Sequence, residues 1–290
     1  MVRKSNVKVF YVISSWNFDV AYLIIKNKKK LNGKVIFDDY DVFSGMMNEL
    51  EIEKKFPDQF HKERICLENA DGLCCRSLET QFPKHQKKLH INGKRIFFPE
   101  YMWNIPENNF VDTSKEKILI YVGNFNNEIV KLANKMDSIG WKLEIFPAHN
   151  VNSKKLNIPA NIKIHLPVSS KLLIKKIKQY RIAIQLPGFF IDPKNIIYTN
   201  KKIEYATSGK IFDYMEAGLK VLIADELFQK WILSRYGMAI EIDINNFLDD
   251  VIRKLATFEA LRFNINEHKY SHLILENQAK RLDSFVISMG

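Results

Sequence analysis

Residues 208–224 read SGKIFDYMEAGLKVLIA, and this stretch decides the fold class. Ile211 and Met215, four positions apart, share one face of a short helix. Gly218 stands where helices commonly end, and the continuous apolar run after it is typical of a buried strand. The stretch therefore predicts one helix and one strand of a parallel α/β sheet.

The start of this helix has the chemistry of an anion site. Gly209 lets a ligand approach the backbone, and the first turn offers N–H groups and the positive end of the helix dipole. Lys210 and Asp213, three positions apart, share a face, so an ammonium can reach a phosphate while a carboxylate accepts from ribose hydroxyls. Together with Ser208 they form a predicted diphosphate site. The alternative is an ordinary α/β helix on which Lys210 and Asp213 are only solvated.

The same alternation of strands and helices extends along the chain. Short β-branched and aromatic runs predict strands in the second half at 117–121, 142–146, 162–165 and 182–186, and in the first half at 7–14, 34–37 and 72–76. Mostly helix is expected after residue 224. Residues 99–115 carry Pro, Asn and Ser without periodicity, which predicts a boundary between a domain at 1–110 and a second domain at 111–290.

The quoted stretch also resembles the donor signature of bacterial glycosyltransferases related to family 4. In that family a P-x-K-[LI]-[FY]-[ED]-Y-[ML]-A-A-G-x-P-V pattern lies on the helix that binds the donor. The matching residues are Lys210, Ile211, Phe212, Asp213, Tyr214, Met215, Ala217 and Gly218. The stretch departs from the pattern at Ser208, Glu216 and Lys220, which replace a proline, a small residue and a second proline.

The resemblance covers most of the chain. Residues 117–125 (KILIYVGNF) and 143–150 (LEIFPAHN) resemble the first two strands of the family's nucleotide-binding domain, and 162–187 resembles the stretch before its donor loop. In the first half, 34–41 (KVIFDDYD) and 68–79 (ENADGLCCRSLE) match the acceptor side. The resemblance implies an α/β protein with two Rossmann-like domains, the GT-B fold. Its N-terminal domain is expected to be incomplete, and its last helix can pack back on that domain.

A carboxylate is the catalytic group that the resemblance implies. In relatives, the loop after the KVIFDDYD-like strand faces the sugar across the interdomain cleft. Asp41, or in second place Asp39, would take a proton from the acceptor hydroxyl there. From the residues alone, a solvated acidic loop and a helix cap at Ser44, made by one of these residues or by Asp38, stay open as alternatives.

Further donor contacts are expected at strand ends and in the donor loop. Gly123 and Asn124 stand where relatives bring a glycine turn toward the donor. His149 follows the carboxyl end of a strand, where open α/β sheets bind ligands. Tyr198 and Glu204 can stack on the base or face the sugar. An ordinary surface or packing role is the alternative for His149, Tyr198 and Glu204.

The resemblance implies a glycosyltransferase of the hexosyltransferase type. It would take a UDP- or GDP-sugar and transfer the sugar to a hydroxyl of a lipid-linked or polysaccharide acceptor, in capsule or lipopolysaccharide synthesis. Lys210 would stabilise the departing diphosphate. The donor loop has no DxD-like metal pair, so we expect no obligatory cofactor. A catalytically weak donor-domain protein, acting as partner or scaffold of a complete glycosyltransferase, is the alternative; a nucleic-acid binder would need a basic and aromatic face that no recognised module supplies.

Composition limits where the protein works. The formal charge of +11 is compatible with attraction to an anionic membrane surface, although lysine is scattered along the chain and a codon preference explains it equally well. The apolar runs of the sequence fall short of the ~18 residues of a membrane span. Cys66, Cys74 and Cys75 lack zinc or disulfide spacing, which fits free thiols. We therefore expect a cytoplasmic protein, with peripheral attachment to the inner face of the cell membrane as a further expectation.

Overall fold

A computed structural model describes residues 8–42, 53–78, 89–106, 117–151, 157–187, 205–224, 226–258 and 270–290. The chain forms two compact units. Unit 1 contains residues 1–100, 195–207 and 275–290, and unit 2 contains residues 101–194 and 208–274. The boundary predicted at residues 110–111 lies outside the described residues and stays a prediction.

Unit 1 is built on a parallel sheet. Its elements are β1 (Lys8–Ser15), α1 (Asp19–Asn27), β2 (Gly33–Asp41), α2 (Pro57–Asn69), β3 (Gly72–Cys75) and β4 (Lys94–Phe97). The strands pair in the order β1-β2-β3-β4. Side chains alternate across a strand, so Val35 and Phe37 face the core formed with α1 and α2. Asp38 therefore points to the opposite face of the sheet.

Unit 2 is a doubly wound α/β domain. Its elements are β5 (Ile118–Val122), α3 (Asn127–Asp137), β6 (Lys142–Phe146), β7 (Ile162–Ile164), α4 (Ser170–Ile177), β8 (Ile182–Ile184), α5 (Gly209–Glu216), β9 (Lys220–Ile223), α6 (Leu227–Arg235), β10 (Ala239–Glu241) and α7 (Phe247–Ala256). The parallel strand order is β10-β9-β8-β5-β6-β7. The chain enters at β5, winds outward to β7, then crosses to β8 on the other side. The carboxyl ends of β5 and β8 are thus the topological switch point, where sheets of this kind bind ligands.

Two apolar layers cover the unit 2 sheet. One layer combines Ala183 of β8 with residues of α4, α5 and α6. The other combines Ile182, Ile184 and Leu186 with residues of α3 and α7. Gly218, at φ +75°, ends α5 as the sequence predicted, because a left-handed residue there favours glycine. Helix α5 therefore packs on the same face of the sheet as α4 and α6.

The last helix, α8 (Leu275–Met289), belongs to unit 1. Leu282 and Phe285 pack against a small apolar cluster that includes Cys74. Lys94 Nζ donates to the Ser288 carbonyl oxygen at 3.0 Å. This helix therefore covers the sheet face that α1 and α2 leave open.

Candidate functional site

Tyr214 fixes helix α5 to the switch point of unit 2. The Val122 N–H at the end of β5 donates to the Tyr214 hydroxyl at 2.8 Å, and that hydroxyl donates to the Ile184 carbonyl oxygen at the end of β8 at 3.3 Å. Tyr214 is fully buried, and burial raises the pKa of its hydroxyl well above the usual value. One side chain thus ties the helix to both central strands. The sequence indicated Tyr214 only as a member of the pattern and missed this bond pair.

Gly123 makes the turn after β5 possible. Its φ is +155°, and a Cβ added there would overlap the hydroxyl of buried Tyr121. An L side chain is disfavoured both by this backbone angle and by that contact. The turn therefore requires glycine for a structural reason.

Replacing Gly123 by alanine is expected to lower the free energy of unfolding of unit 2 by about 2 kcal/mol, since Tyr121 is packed and cannot move aside cheaply. Gly209→Ala is the matched control. A Cβ built on Gly209 meets no heavy atom within 4 Å in the described chain, so this variant should keep wild-type stability. Urea unfolding followed by tryptophan fluorescence measures both. Equal stability of the two variants would contradict the steric argument.

The beginning of α5 is open. Ser208 occupies the N-cap position with extended backbone (φ −146°), and its side chain makes no capping bond within the described residues. Gly209 is exposed. The first turn of α5 therefore offers backbone N–H groups to an incoming anion.

Lys210 places a cation over the edge of the sheet. Its ammonium lies 5.4 Å from the centroid of the Tyr121 ring, within the range of a cation–π contact. Burial lowers the pKa of Lys210, while the negative charge of buried Glu226 opposes that shift. Gly123 and Lys210 thus both lie close to Tyr121. The positive charge is held at the carboxyl edge of the sheet, beside the turn after β5.

Asp213 lies on the same helix as Lys210. It is half-buried, and the Ser170 hydroxyl donates to its Oδ1 at 3.3 Å. Asn124 and His149 are exposed after β5 and β6 respectively. These side chains all follow or flank the carboxyl ends of unit 2 strands. Their roles as donor contacts stay predictions.

A pocket of about 220 Å³ lies beside the carboxyl end of β7. Its lining includes Asn150 and His165. Nε2 of His165 lies 2.5 Å from Glu144 Oε2, and the His165 ring stacks on Phe146 with centroids 4.1 Å apart. Burial raises the pKa of Glu144, but hydrogen bonds from Tyr180 and His165 outweigh it and leave that pKa below its usual value. The imidazole is therefore held in one orientation at the pocket wall.

Asp39 and Asp41 lie on β2 of unit 1. Asp41 is the last residue of the strand and pairs with Ser15. Asp39 is only 2% exposed. Burial, and then the charges of Asp39 and Glu63, raise the pKa of Cys66 on α2 to about 12. The catalytic assignment of Asp41, and in second place of Asp39, stays a prediction.

Asp38 is part of a buried ion pair. The guanidinium of Arg76 donates to both carboxylate oxygens of Asp38, at 3.0 and 2.9 Å, and the Tyr11 hydroxyl donates to Oδ2 at 2.7 Å. The Arg76 guanidinium also lies 4.3 Å from the Tyr40 ring centroid and 3.5 Å from Glu100 Oε1. The carboxylate of Asp38 is therefore engaged by β1 and by the residue after β3. The helix predicted to begin at Ser44 lies outside the described residues, so a cap from Asp38 stays a prediction.

Comparison with known proteins identifies the fold. No family model matches the chain, and no curated protein matches it. Sucrose-phosphate synthase from Thermosynechococcus elongatus is similar with a TM-score of 0.67, at 12% identity over 96% of this chain and 72% of that chain. The lipopolysaccharide outer core galactosyltransferase WaaB is similar with a TM-score of 0.58, at 14% identity over 96% of this chain and 75% of that chain. The chain has the GT-B fold.

A third structure extends this similarity to a protein solved with UDP. S. aureus MnaA in complex with UDP matches with a TM-score of 0.51, at 10% identity over 96% of this chain and 72% of that chain. At these identities the likeness establishes the fold, which confirms the predicted pair of Rossmann-like domains. The predicted relation to family 4 and the incompleteness of the N-terminal domain stay predictions.

Two of the predicted donor contacts are side chains of the donor loop. Tyr198 and Glu204 lie outside the described residues. Across the described ranges, no three His, Cys, Asp or Glu residues are grouped so that they could hold a metal ion. In the same ranges, none of the helices combines the length and the apolar character that crossing a membrane requires.

Proposed function

We propose that this GT-B protein is a glycosyltransferase that uses a nucleoside-diphosphate sugar. Unit 2 binds a UDP- or GDP-sugar at the switch point, and the sugar is transferred to a hydroxyl of a lipid-linked or polysaccharide acceptor. No obligatory metal takes part. The acceptor side is unit 1, where Asp41 takes the proton of the attacking hydroxyl.

The position of Lys210 carries the proposal. A half-buried ammonium lies over Tyr121 at the carboxyl edge of the sheet, one residue after the open start of α5. A lysine loses hydration in such a place, and an anion that binds there restores a favourable partner. The N–H groups of the first turn and the ammonium together suit a diphosphate. In glycosyl transfer the diphosphate leaves with developing negative charge, so the same groups assist the reaction.

Asp213 favours a nucleotide as the ligand rather than inorganic diphosphate. Its carboxylate lies on α5 within hydrogen-bond range of a serine hydroxyl, at 3.3 Å. A carboxylate in that setting can exchange a serine hydroxyl for the vicinal hydroxyls of ribose. The proposed ligand thus presents its diphosphate to Lys210 and its ribose to Asp213. The net charge of +11 further favours a peripheral encounter with anionic lipid that carries the acceptor.

A thermal-shift panel tests the donor site. The full chain is melted with saturating UDP, GDP, ADP or CMP, and one nucleoside diphosphate is expected to raise the melting temperature by about 5 °C. Binding alone does not show catalysis, so the sugar nucleotide of the preferred base is then incubated with the protein. Release of its nucleoside diphosphate is followed over time. Indifference to all four nucleotides would remove the donor site. Binding without turnover would favour the partner or scaffold role.

A further inference from the structure

Gln185 is the first residue after β8, at the switch point. Its backbone N–H donates to the Leu222 carbonyl oxygen at 2.9 Å, so the chain is still in the sheet there. Ile184 and Leu186 both pack in the layer formed with α3 and α7. Because side chains alternate along an extended chain, Gln185 points to the other face, which carries Ala183 and α5.

The direction of α5 places its start above Gln185. In a βαβ crossover the helix begins at the carboxyl edge of the sheet and runs back toward the amino edge. Gly209 and Lys210 begin α5, and Gln185 lies at the carboxyl end of the strand that precedes this helix in the sequence. The side chain of Gln185 therefore points from the sheet toward the predicted anion site at the start of α5.

The amide of Gln185 is buried and has an unused acceptor. The residue is 5% exposed, and its Oε1 makes no hydrogen bond in the part of the chain that the structure describes. Buried polar atoms nearly always have a partner, and an exception beside a ligand site points to a partner supplied by the ligand. The diphosphate of a nucleotide sugar is esterified at both ends and carries no proton at neutral pH, so its oxygens cannot donate to this acceptor. Hydroxyl groups can.

We propose that Gln185 is a further binding residue of the donor site, and that its amide oxygen accepts a hydrogen bond from a hydroxyl of the nucleotide sugar. The hydroxyl belongs either to the ribose or to the transferred sugar. The inference rests on the proposed function, because it assigns a second contact to the same bound donor. It gives Gln185 a part in selecting the ligand, beyond the charge contact of Lys210.

Gln185→Leu tests the proposal by calorimetric titration of the full chain with three ligands. The sugar nucleotide of the preferred base should bind about 3- to 10-fold more weakly, as expected for one lost hydrogen bond. Inorganic pyrophosphate should bind as to wild type, because it has neither a ribose hydroxyl nor a sugar hydroxyl. Titration with the nucleoside diphosphate alone distinguishes the two hydroxyls. If Gln185→Leu loses as much affinity for it as for the sugar nucleotide, the contact is to the ribose; if it loses none, the contact is to the transferred sugar.

Stability separates a ligand contact from a structural role. Without ligand, Gln185→Leu and Gln185→Met should melt at or above the wild-type temperature, since each removes a buried acceptor that has no partner. Gln278→Met is the matched control. Gln278 is also buried, but its Oε1 accepts from Arg281 at 2.8 Å, so its replacement should lower the melting temperature and leave ligand affinity unchanged.

Two results would overturn the role of Gln185: wild-type affinity of both Gln185 variants for the sugar nucleotide, or an equal loss of affinity for pyrophosphate. The second would mean that Gln185 acts on the cation and not on a hydroxyl. Failure of the proposed function would look different, because the wild-type protein itself would then bind none of the nucleotides. The Met variant keeps the test informative if the Leu variant does not fold.

Discussion

Replacing Lys210 by alanine is expected to weaken binding of the nucleoside diphosphate by about 10- to 100-fold. Charge-assisted hydrogen bonds contribute about 1.5–3 kcal/mol each, and the ammonium is held over Tyr121 at the carboxyl edge before the ligand arrives. Little side-chain freedom is lost on binding, so most of the contact energy appears as affinity. Isothermal titration of wild-type and Lys210→Ala proteins at low and moderate salt measures the loss.

Affinity should also depend on pH through the same ammonium. Burial lowers the pKa of Lys210, so in the free protein the ammonium loses its proton at a lower pH than an ordinary lysine. Only the protonated form attracts a diphosphate. Affinity is therefore full at neutral pH and falls as pH rises through the lowered pKa. Lys210→Arg keeps its charge in this range, and the ratio of wild-type to Arg-variant affinity cancels any ionisation of the nucleotide itself.

Lys220 offers a matched control for the loss of a cation. It is the first residue of β9, at the amino edge of the same sheet, and its ammonium donates to the Gly237 carbonyl oxygen. Burial lowers the pKa of Lys220 as well. Lys220→Ala should leave nucleotide affinity within about 2-fold of wild type, because the edge that binds the ligand is the opposite one. Equal losses in the two alanine variants would indicate a general charge effect and contradict a local site.

The helix and strand of residues 208–224 were predictable because several local signals agree there. The spacing of Ile211 and Met215, the stop at Gly218 and the apolar run all specify one short helix and one buried strand, and the structure has α5 and β9 at these positions. The residues of the predicted diphosphate site come from the same stretch. The alternation of such units along the chain predicted doubly wound α/β architecture, and the resemblance to a glycosyltransferase family implied the GT-B fold.

Two strands escaped prediction because they carry weak local signals. β4, with the sequence KRIF, has two charged residues followed by two apolar residues and so lacks the alternation of a half-buried strand, and β10 has only three residues at the edge of its sheet. The described residues after 224 are mostly helical, as expected, and β10 is a strand that the expectation did not include. Edge strands are specified by pairing with a neighbour, here Ala239 with Val221, and not by their own pattern.

The polar contacts of the site were unpredictable for a different reason. Tyr214 bonds to Val122 and Ile184, which lie 92 and 30 positions away in sequence. The spare acceptor of Gln185 appears only when burial and every nearby donor are known. Sequence patterns record the period of burial, whereas these contacts depend on which strand ends the topology brings together.

Removing Arg76 is expected to lower the stability of unit 1 strongly. Its guanidinium pairs bidentately with Asp38, whose side chain is 0% exposed. Arg76→Met leaves that carboxylate buried, with the Tyr11 hydroxyl as its one remaining side-chain donor among the described residues. Breaking a buried pair from one side typically costs about 3–5 kcal/mol, because the remaining charge has lost its partner. Amide hydrogen exchange of β2 and β3 measures the loss within unit 1.

The double variant Asp38→Asn, Arg76→Met separates the buried charge from lost packing. Asparagine keeps a carbonyl acceptor for Tyr11 but has no charge, so the double variant should be more stable than Arg76→Met alone. Arg64→Met is the surface control: its contact to Glu68 is 3.4 Å long with the arginine side chain 48% exposed, and its loss should cost less than about 1 kcal/mol. If the losses in free energy of unfolding caused by Asp38→Asn and Arg76→Met simply add in the double variant, the two side chains are not coupled. A coupled pair would instead mean that Asp38 and Arg76 stabilise unit 1 through their interaction with each other, three residues before the end of β2 at Asp41.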